Sequence, residues 1–486
     1  MSSPRRAWRA VLDGADRRLG DRVDRLVCAH HARRLRRLGW SDALSPEPGE
    51  GRRTRPAREG NRVEVLVDGE EALGAMVEAI LGARSHVHIA GWFASPDFRP
   101  TRGPEARALG EILAEVAERV PVRVLLWAGP PVPVFKPTRR MVRAARDGFE
   151  GESRARCVLD RRERTMHCHH EKLVVVDDEI AFVGGIDFTD LAGDRADSSA
   201  HAPDRVLGWH DLATRLHGPI VADVAGHFVQ RWREVADEPL PDPVVPAPVG
   251  TTSVQLVRTV PERTYGFAPQ GEFTILGAYL SALRSARSLV YLENQFLWSG
   301  EVVDVLVDKL RRPPRDDFRL LVLLPTRPND GADTTRGQLG RLIAADGGRG
   351  KLLAVTIDAH EQGRTGPLYV HAKVGIVDDS WLTIGSANLN EHSLFNDTEV
   401  NVIIRDPEEV RATRLRLWSE HLELPVSEIA GDPAKVIDTL WRPIAAAQSR
   451  LDRSGSPRTH RLTLLPDLSR RAERLQGPLR GLLVDG

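Results

Sequence analysis

Two short segments carry the residue types that could act on a phosphorus ester. His170-Glu-Lys172 runs through Leu-Val-Val-Val to Asp177, and His371-Ala-Lys373 runs through Val-Gly-Ile-Val to Asp378. The offset between them is 371 − 170 = 201. The same offset carries Gly184 to Gly385, Gly185 to Ser386 and Asp187 to Asn388. Lysine occurs at six positions only (136, 172, 309, 351, 373 and 435), against 68 basic residues in all. Two of those six stand in these segments. A single His-x-Lys-x4-Asp run is an ordinary solvated strand end; two in register, holding two of the rare lysines, form a signal.

In a strand, residues i and i+2 project to one face, so His170 projects with Lys172 and His371 with Lys373. The small pairs Gly184-Gly185 and Gly385-Ser386 let a ligand approach the backbone, which makes Gly185 and Ser386 candidate contacts. Facing each other, the two sets would surround a phosphodiester. One neutral histidine would attack phosphorus to give a phosphohistidine. The other, protonated, would donate to the leaving alkoxide and later take a proton from water. Lys172, Lys373 and Asn388 would neutralise the non-bridging oxygens, so no metal and no cofactor is required. Equal residues in opposite roles need their pKa values pushed apart. A carboxylate behind each imidazole would orient it and raise its pKa, and Asp211 and Glu399 are the candidates.

The elements that must position these residues repeat as well. Val63–Val67, a helix near 70–83 and His86–Ala90 read as strand, helix and strand, followed by a helix near 104–119 and the strand Val122–Trp127. After a proline-rich stretch at 238–250 the pattern restarts, with Val254–Val257, a helix at 274–285, Leu289–Leu292 and Leu320–Leu324. Ala83-Arg-Ser-His-Val-His-Ile aligns with Ala286-Arg-Ser-Leu-Val-Tyr-Leu. Such alternation predicts layered α/β units, and the repeat predicts an internal duplication, a pseudo-dimer in one chain. The turns Asp177-Asp178 and Asp378-Asp379 follow buried strands.

Composition narrows the classes. The 486 residues are 41% hydrophobic and 28% charged, which is ordinary globular protein. Lys plus Arg and Asp plus Glu are 68 each, so no general nucleic-acid binding is expected. Residues 1–60 are locally basic, with apolar residues at helical spacing from Ala7 to Leu38; a packed helical extension is favoured over a helix resting on anionic lipid. Three cysteines (Cys28, Cys157 and Cys168) make no disulfide framework and fit a reducing compartment. No apolar run of about 18 residues is present, so no transmembrane helix is expected. The first residues have charge but no apolar stretch behind it, so a leader is not expected either.

The duplicated segments resemble the phospholipase D superfamily, whose signature is His-x-Lys-x4-Asp-x6-Gly-Gly/Ser. The likeness covers roughly residues 60–430. Within the superfamily the chain is most similar to the phospholipases. Glu293-Asn294-Gln295-Phe296, His169-His-Glu-Lys172, Gly184-Gly-Ile-Asp187, Trp209-His-Asp211, and Gly385-Ser-Ala-Asn-Leu-Asn390 followed by Asp397-Thr-Glu399 carry that similarity. The resemblance implies two pseudo-symmetric α/β/α-sandwich lobes with mixed sheets and one shared active site at their interface. It implies lobes at 61–237 and 251–430, after a basic extension at 1–60 and before a helix and tail at 431–486. It implies hydrolysis of the distal phosphodiester of a glycerophospholipid to phosphatidic acid, with transfer to other alcohols as a side reaction. His170 would then be the nucleophile and His371 the acid/base, with Asp177 and Asp378 supporting the site and Glu293, Asn294 and Gln295 near the substrate. The expected partner is a phospholipid at a membrane surface, and the expected state is a cytoplasmic, peripheral monomer.

Two departures stand out. His392 occupies the place where relatives commonly carry the arginine of Asn-x-Arg-Ser, and Asp187 replaces the amide found at Asn388, so asymmetric phosphate contacts are expected. A cardiolipin-synthase-like phosphatidyltransferase shares the same residues and is the alternative. A nuclease would need a basic groove with stacking aromatics, yet aromatics are 5%. A binding module without catalysis is disfavoured by two intact His-Lys sets. Zinc binding by Met166-His-Cys-His-His170 is disfavoured because adjacent strand residues alternate faces.

Overall fold

The computed structural model describes residues 4–45, 54–131, 136–151, 153–163, 167–203, 206–326 and 332–465. Residues 46–53 of the basic extension and the tail beyond 465 lie outside these residues, as does Met166.

Short runs of branched apolar residues form each sheet. In the first half the spatial order is Arg58–Val67, Leu212–His217, Ile180–Gly184, Leu173–Val176, Val87–Gly91, Val122–Trp127 and Arg156–Asp160. The last three are mutually parallel, as strands joined through helices must be, and the other neighbours are antiparallel. The second half repeats the order with Thr252–Val260, Glu399–Ile404, Trp381–Gly385, Lys373–Val377, Leu289–Asn294, Arg319–Leu323 and Leu352–Ile357, then adds the edge strand Leu462–Leu464. The sheets join where Arg58 and Asn61 pair with Val254 and Thr252, making one mixed sheet across both halves.

Alternation along the strands sorts side chains between layers. Val174 and Val176 face an outer core with the helices Asp68–Leu81, Leu109–Ala117 and Arg139–Glu150. Leu173 and Val175 face a central core shared by both halves, which also holds Val221–Val235 and Pro407–Leu422. The helices Thr274–Ser285 and Gly300–Arg311 cover the outer face of the second half. The fold is thus a mixed α/β sandwich built twice. The basic helix Pro4–Leu38 packs against the second half, with His31 Nδ1 2.7 Å from Glu301 and Arg34 Nη2 2.6 Å from Glu262.

The paired aspartates at the strand ends explain how the hairpins turn. Asp177 and Asp178 have φ of 60° and 57°, and Asp378 and Asp379 have 52° and 49°, as a type I′ turn demands at both central residues. Asp177 accepts from the backbone of Arg84, Ser85 and His86 at 2.6–2.9 Å. Asp378 accepts from Arg287, Ser288 and Leu289 at 2.7–2.8 Å. These are the loops of the repeated Ala-Arg-Ser sequence, so each aspartate ties its hairpin to the adjacent strand.

Candidate active site

His170 and His371 lie just before their strands, where chain from one half crosses onto the other. His169 bridges to Thr398, and the His170 N–H donates to the Thr398 carbonyl at 2.9 Å. In the mirror position Leu368–Val370 pairs with Gly208–His210, and the His371 N–H donates to the His210 carbonyl at 2.8 Å. Each histidine backbone is therefore fixed by the opposite half.

The side chains cross in the same way. His170 Nδ1 lies 3.0 and 3.2 Å from the two carboxylate oxygens of Glu399. His371 Nδ1 lies 2.5 Å from Asp211 Oδ2. Both carboxylates named from the sequence sit behind an imidazole, each supplied across the boundary. Such a bond places the imidazole proton on Nδ1 and leaves the lone pair on Nε2.

The two carboxylates are held by different means. Ser386 Oγ donates to Glu399, as does Ser393 Oγ at 2.5 Å. At the equivalent of Ser386 stands Gly185, where a Cβ would overlap the Asp211 carboxylate. The serine hydroxyl and the missing side chain are two answers to seating a buried carboxylate.

The lysines differ also. Lys172 donates to the His170 carbonyl at 2.6 Å and pairs with Asp187 Oδ2 at 3.1 Å, while Asp187 Oδ1 accepts from the Trp92 backbone at 3.1 Å. Lys373 donates to the His371 carbonyl and reaches the neutral Gln295 Oε1 at 3.2 Å; Asn388 Nδ2 reaches the same oxygen at 3.3 Å. The first cation is compensated by a carboxylate and the second rests on amides.

Burial sets the proton affinities. Loss of solvent lowers the His371 pKa well below the usual imidazole range, and Lys373, Arg195, Lys172 and His170 add to the effect. Burial lifts Asp211 to about 6 against the pull of Lys373. Burial also raises Glu399 well above the ordinary carboxylate range, opposed by Lys172 and by the serine hydroxyls. Asp211 and His371 thus form a tight pair that can gain or lose one proton near neutral pH.

Other residues read from the sequence fall around this cluster. Gln295 is inside it. Asn294 Oδ1 accepts from the backbone of Phe296 and Leu389, both at 3.1 Å, and so shapes the neighbouring turn. Glu293 lies one layer back, 2.9 Å from both His210 and His421, and so steadies the strand whose carbonyl holds His371. Asp177 and Asp378 are not brought to the cluster; they stand at the far ends of the strands, in the turns described above.

Arg195 is a member that no spacing pattern flagged among so many arginines. Its guanidinium stacks 3.8 Å over Trp209, which in turn lies 4.4 Å from the His371 ring. Arg195 is 5% exposed, and its Nε and Nη1 have no hydrogen-bond partner. His170 and His371 are 3% and 4% exposed, so the cluster is almost wholly enclosed. Neither large cavity, of about 630 and 730 Å³, is lined by either histidine or its lysine. No helix among the described residues is long and apolar enough to cross a membrane.

The family model described as "Cardiolipin synthase, PLD-like domain" matches residues 279–418. The chain is 28% identical to phospholipase D A of Dictyostelium discoideum, an alignment covering 76% of this chain and 36% of that protein. It is 26% identical to phospholipase D2 of Bos taurus, covering 73% and 50%. It is also 26% identical to phospholipase D alpha 1 of Nicotiana tabacum, covering 71% and 63%. The chain spans about half or less of the length of the first two. Among solved structures, the phosphatidylserine synthase of Haemophilus influenzae Rd KW20 superposes with a TM-score of 0.55 at 12% identity, covering 82% of this chain and 95% of that one, a likeness of fold. With the signature present twice and its two copies drawn to one boundary between the halves, these matches support the phospholipase D superfamily as the family the chain resembles.

Proposed function

We propose that the chain is a phospholipase D, releasing phosphatidic acid and a headgroup alcohol from a glycerophospholipid, with residues 61–237 and 251–430 as its two lobes. The observation that carries this reading is the crossed pair, in which each imidazole is hydrogen-bonded to a carboxylate of the other half. The names of the relatives supply the substrate class.

In this reading Nε2 of His170 attacks phosphorus and the bond from phosphorus to the headgroup oxygen breaks. The His371–Asp211 pair gives its proton to the leaving alkoxide. Water then attacks the phosphatidyl-histidine, His371 takes the proton, and the phosphorus–nitrogen bond breaks to free phosphatidic acid. An alcohol in place of water gives a transferred phosphatidyl group. Lys172, Lys373 and Asn388 stabilise the charge on the non-bridging oxygens, and the guanidinium of Arg195 adds a third cation at the His371 side. Asp187 and Gln295 hold the lysines and do not themselves bind phosphate. Asp177 and Asp378 act through hairpin geometry, not chemistry. The substrate is met at a lipid surface by a monomer of peripheral, cytoplasmic type, and the closed cluster must part to admit a phosphate group.

A cardiolipin-synthase-like phosphatidyltransferase is the second reading, favoured by the description of the matching family model. Incubation with phosphatidylcholine, phosphatidylglycerol or a short DNA, each with and without ethanol, separates the readings. Phosphatidic acid from phosphatidylcholine, diverted to phosphatidylethanol by ethanol, is expected. Cardiolipin formed from phosphatidylglycerol without hydrolysis supports the transferase, and cleavage of DNA alone overturns both.

A further inference from the structure

The segments that carry the crossed pair also bring together three side chains that the phosphodiester reading leaves unused. His167 lies three residues before His170. His392 lies in the single turn of π-helix His392–Asn396, an irregularity that recurs at functional sites. Asp397 lies two residues before Glu399. Their ligand atoms all fall within 4.8 Å of one another. His167 Nδ1 is 3.5 Å from Asp397 Oδ1, and His392 Nδ1 is 4.0 Å from Asp397 Oδ2. The two rings are 5.4 Å apart at their centroids, tilted by 57°.

These atoms face each other without bonding. His167 Nδ1, His392 Nδ1 and Asp397 Oδ2 are each buried and have no hydrogen-bond partner. Asp397 is wholly buried and His392 is 2% exposed, so neither group can turn to water. Buried polar groups are ordinarily paired, and three convergent orphans call for something between them. The other carboxylate oxygen is already engaged, since Asp397 Oδ1 accepts from the Cys168 N–H at 2.9 Å. That bond orients the carboxylate as the outer partner of a metal ligand does.

We propose that His167, His392 and Asp397 bind a divalent transition metal ion of the zinc class, linking the two halves beside the phosphodiester site. Two imidazoles and one carboxylate are ordinary zinc ligands, with bonds of about 2.0–2.2 Å and a fourth position open to water. Ligand atoms in such a tetrahedron stand about 3.3 Å apart, so closure from the present spacing needs shifts well below the size of a residue. The side chain of His167 is 16% exposed, giving an ion a way in. The zinc site weighed from the sequence over Met166–His170 does not form: His169 reaches Asp160 and His170 reaches Glu399, leaving only His167 for this cluster. The ion touches neither catalytic imidazole; it pins the segment entering His170 to the one entering Glu399.

The test uses the full chain, stripped of metal by chelator and dialysis, and titrated with cobalt(II) alone. One equivalent should produce the visible absorption bands of four-coordinate cobalt, which zinc(II) then bleaches. Binding should weaken about tenfold or more in His167→Ala and in His392→Ala. Zinc should also raise the unfolding midpoint of the parent protein and leave that of His167→Ala unmoved. His167 is partly exposed, so that variant is expected to fold. Absence of the bands, or equal binding in both variants, overturns the proposal. Equal binding would direct attention to the separate cluster of Asp68, His201, His210 and Glu420.

Discussion

Asp211 and Glu399 do different work with the same functional group. Asp211 makes the shorter bond to its imidazole and sits against a backbone with no side chain, while Glu399 is held by two serine hydroxyls. Replacing His170 or His371 by Asn should each reduce phosphatidic acid release by roughly a thousandfold or more. Substantial turnover in either variant would contradict the two-histidine mechanism. Asp211 makes a second prediction through its proton. Its carboxyl is raised by burial from 3.8 to about 6, so the folded state binds that proton more readily than the unfolded state. The stabilisation is complete below the unfolded value and is lost as pH rises through about 6. Asp211→Asn removes that loss. Its unfolding midpoint should exceed the parent's at pH 7, with the gap closing as pH falls toward 4, while its activity drops. A midpoint below the parent's at pH 7 would show that the carboxylate is a net stabiliser. The lysines and the two histidines were legible from residue type and repeat spacing, and Asp211 and Glu399 were candidates by residue type although the repeat offset does not relate them. Which carboxylate serves which histidine was not legible, because the partners are 229 and 160 residues apart in the chain. Arg195 was hidden by sheer abundance of arginine.

At the scale of elements, the hairpins do the positioning. The aspartate ending each signature stands seven residues beyond its histidine, about 23 Å along an extended strand, and reaches the backbone of a neighbouring loop. Asp378→Ala should therefore destabilise the fold by about 2 kcal/mol, through lost backbone acceptors and an unfavourable left-handed residue, without changing turnover per folded molecule by more than about threefold. A proportionate fall in turnover with unchanged stability would return Asp378 to the chemistry. Gly185→Ser puts a side chain where the Asp211 carboxylate lies, so it should cost both stability and activity, whereas Ser386→Gly removes a single bond to Glu399 and should cost about 1 kcal/mol. Denaturant melts and activity of the purified variants check all three. Strand and helix positions were mostly visible in the sequence: the strand Val122–Trp127 and the helix Thr274–Ser285 fall where their apolar pattern put them. The strand Leu462–Leu464 was missed, since three residues give too little alternation to read.

For the molecule as a whole, the crossing means that, on the proposed mechanism, neither half contains a complete site. Each lobe supplies its own His-Lys set and the carboxylate for the other set, so the duplication became interdependent and not merely repeated. Mixing full-length His170→Asn with full-length His371→Asn should restore no activity, because both histidines must come from one chain. Recovery on mixing would instead mean that subunits exchange halves or share sites. The pseudo-twofold order of strands follows from the repeat and was foreseeable, whereas the continuous sheet through Arg58 and Val254 was not, because pairing between lobes leaves no periodic mark. The same holds for the cluster of His167, His392 and Asp397, whose members look unrelated until the lobes are joined.

The covalent intermediate is where these scales meet. A phosphatidyl ester of p-nitrophenol, labelled at phosphorus, has a leaving group that needs no acid, so His371→Asn should still form the adduct and then fail to hydrolyse it. After rapid quench at neutral to alkaline pH and digestion, the label should sit on the peptide containing His170 and vanish in the His170→Asn, His371→Asn double variant. Full turnover with no protein-bound label, or label retained in the double variant, would contradict the claim that one imidazole attacks phosphorus while its crossed partner manages the proton.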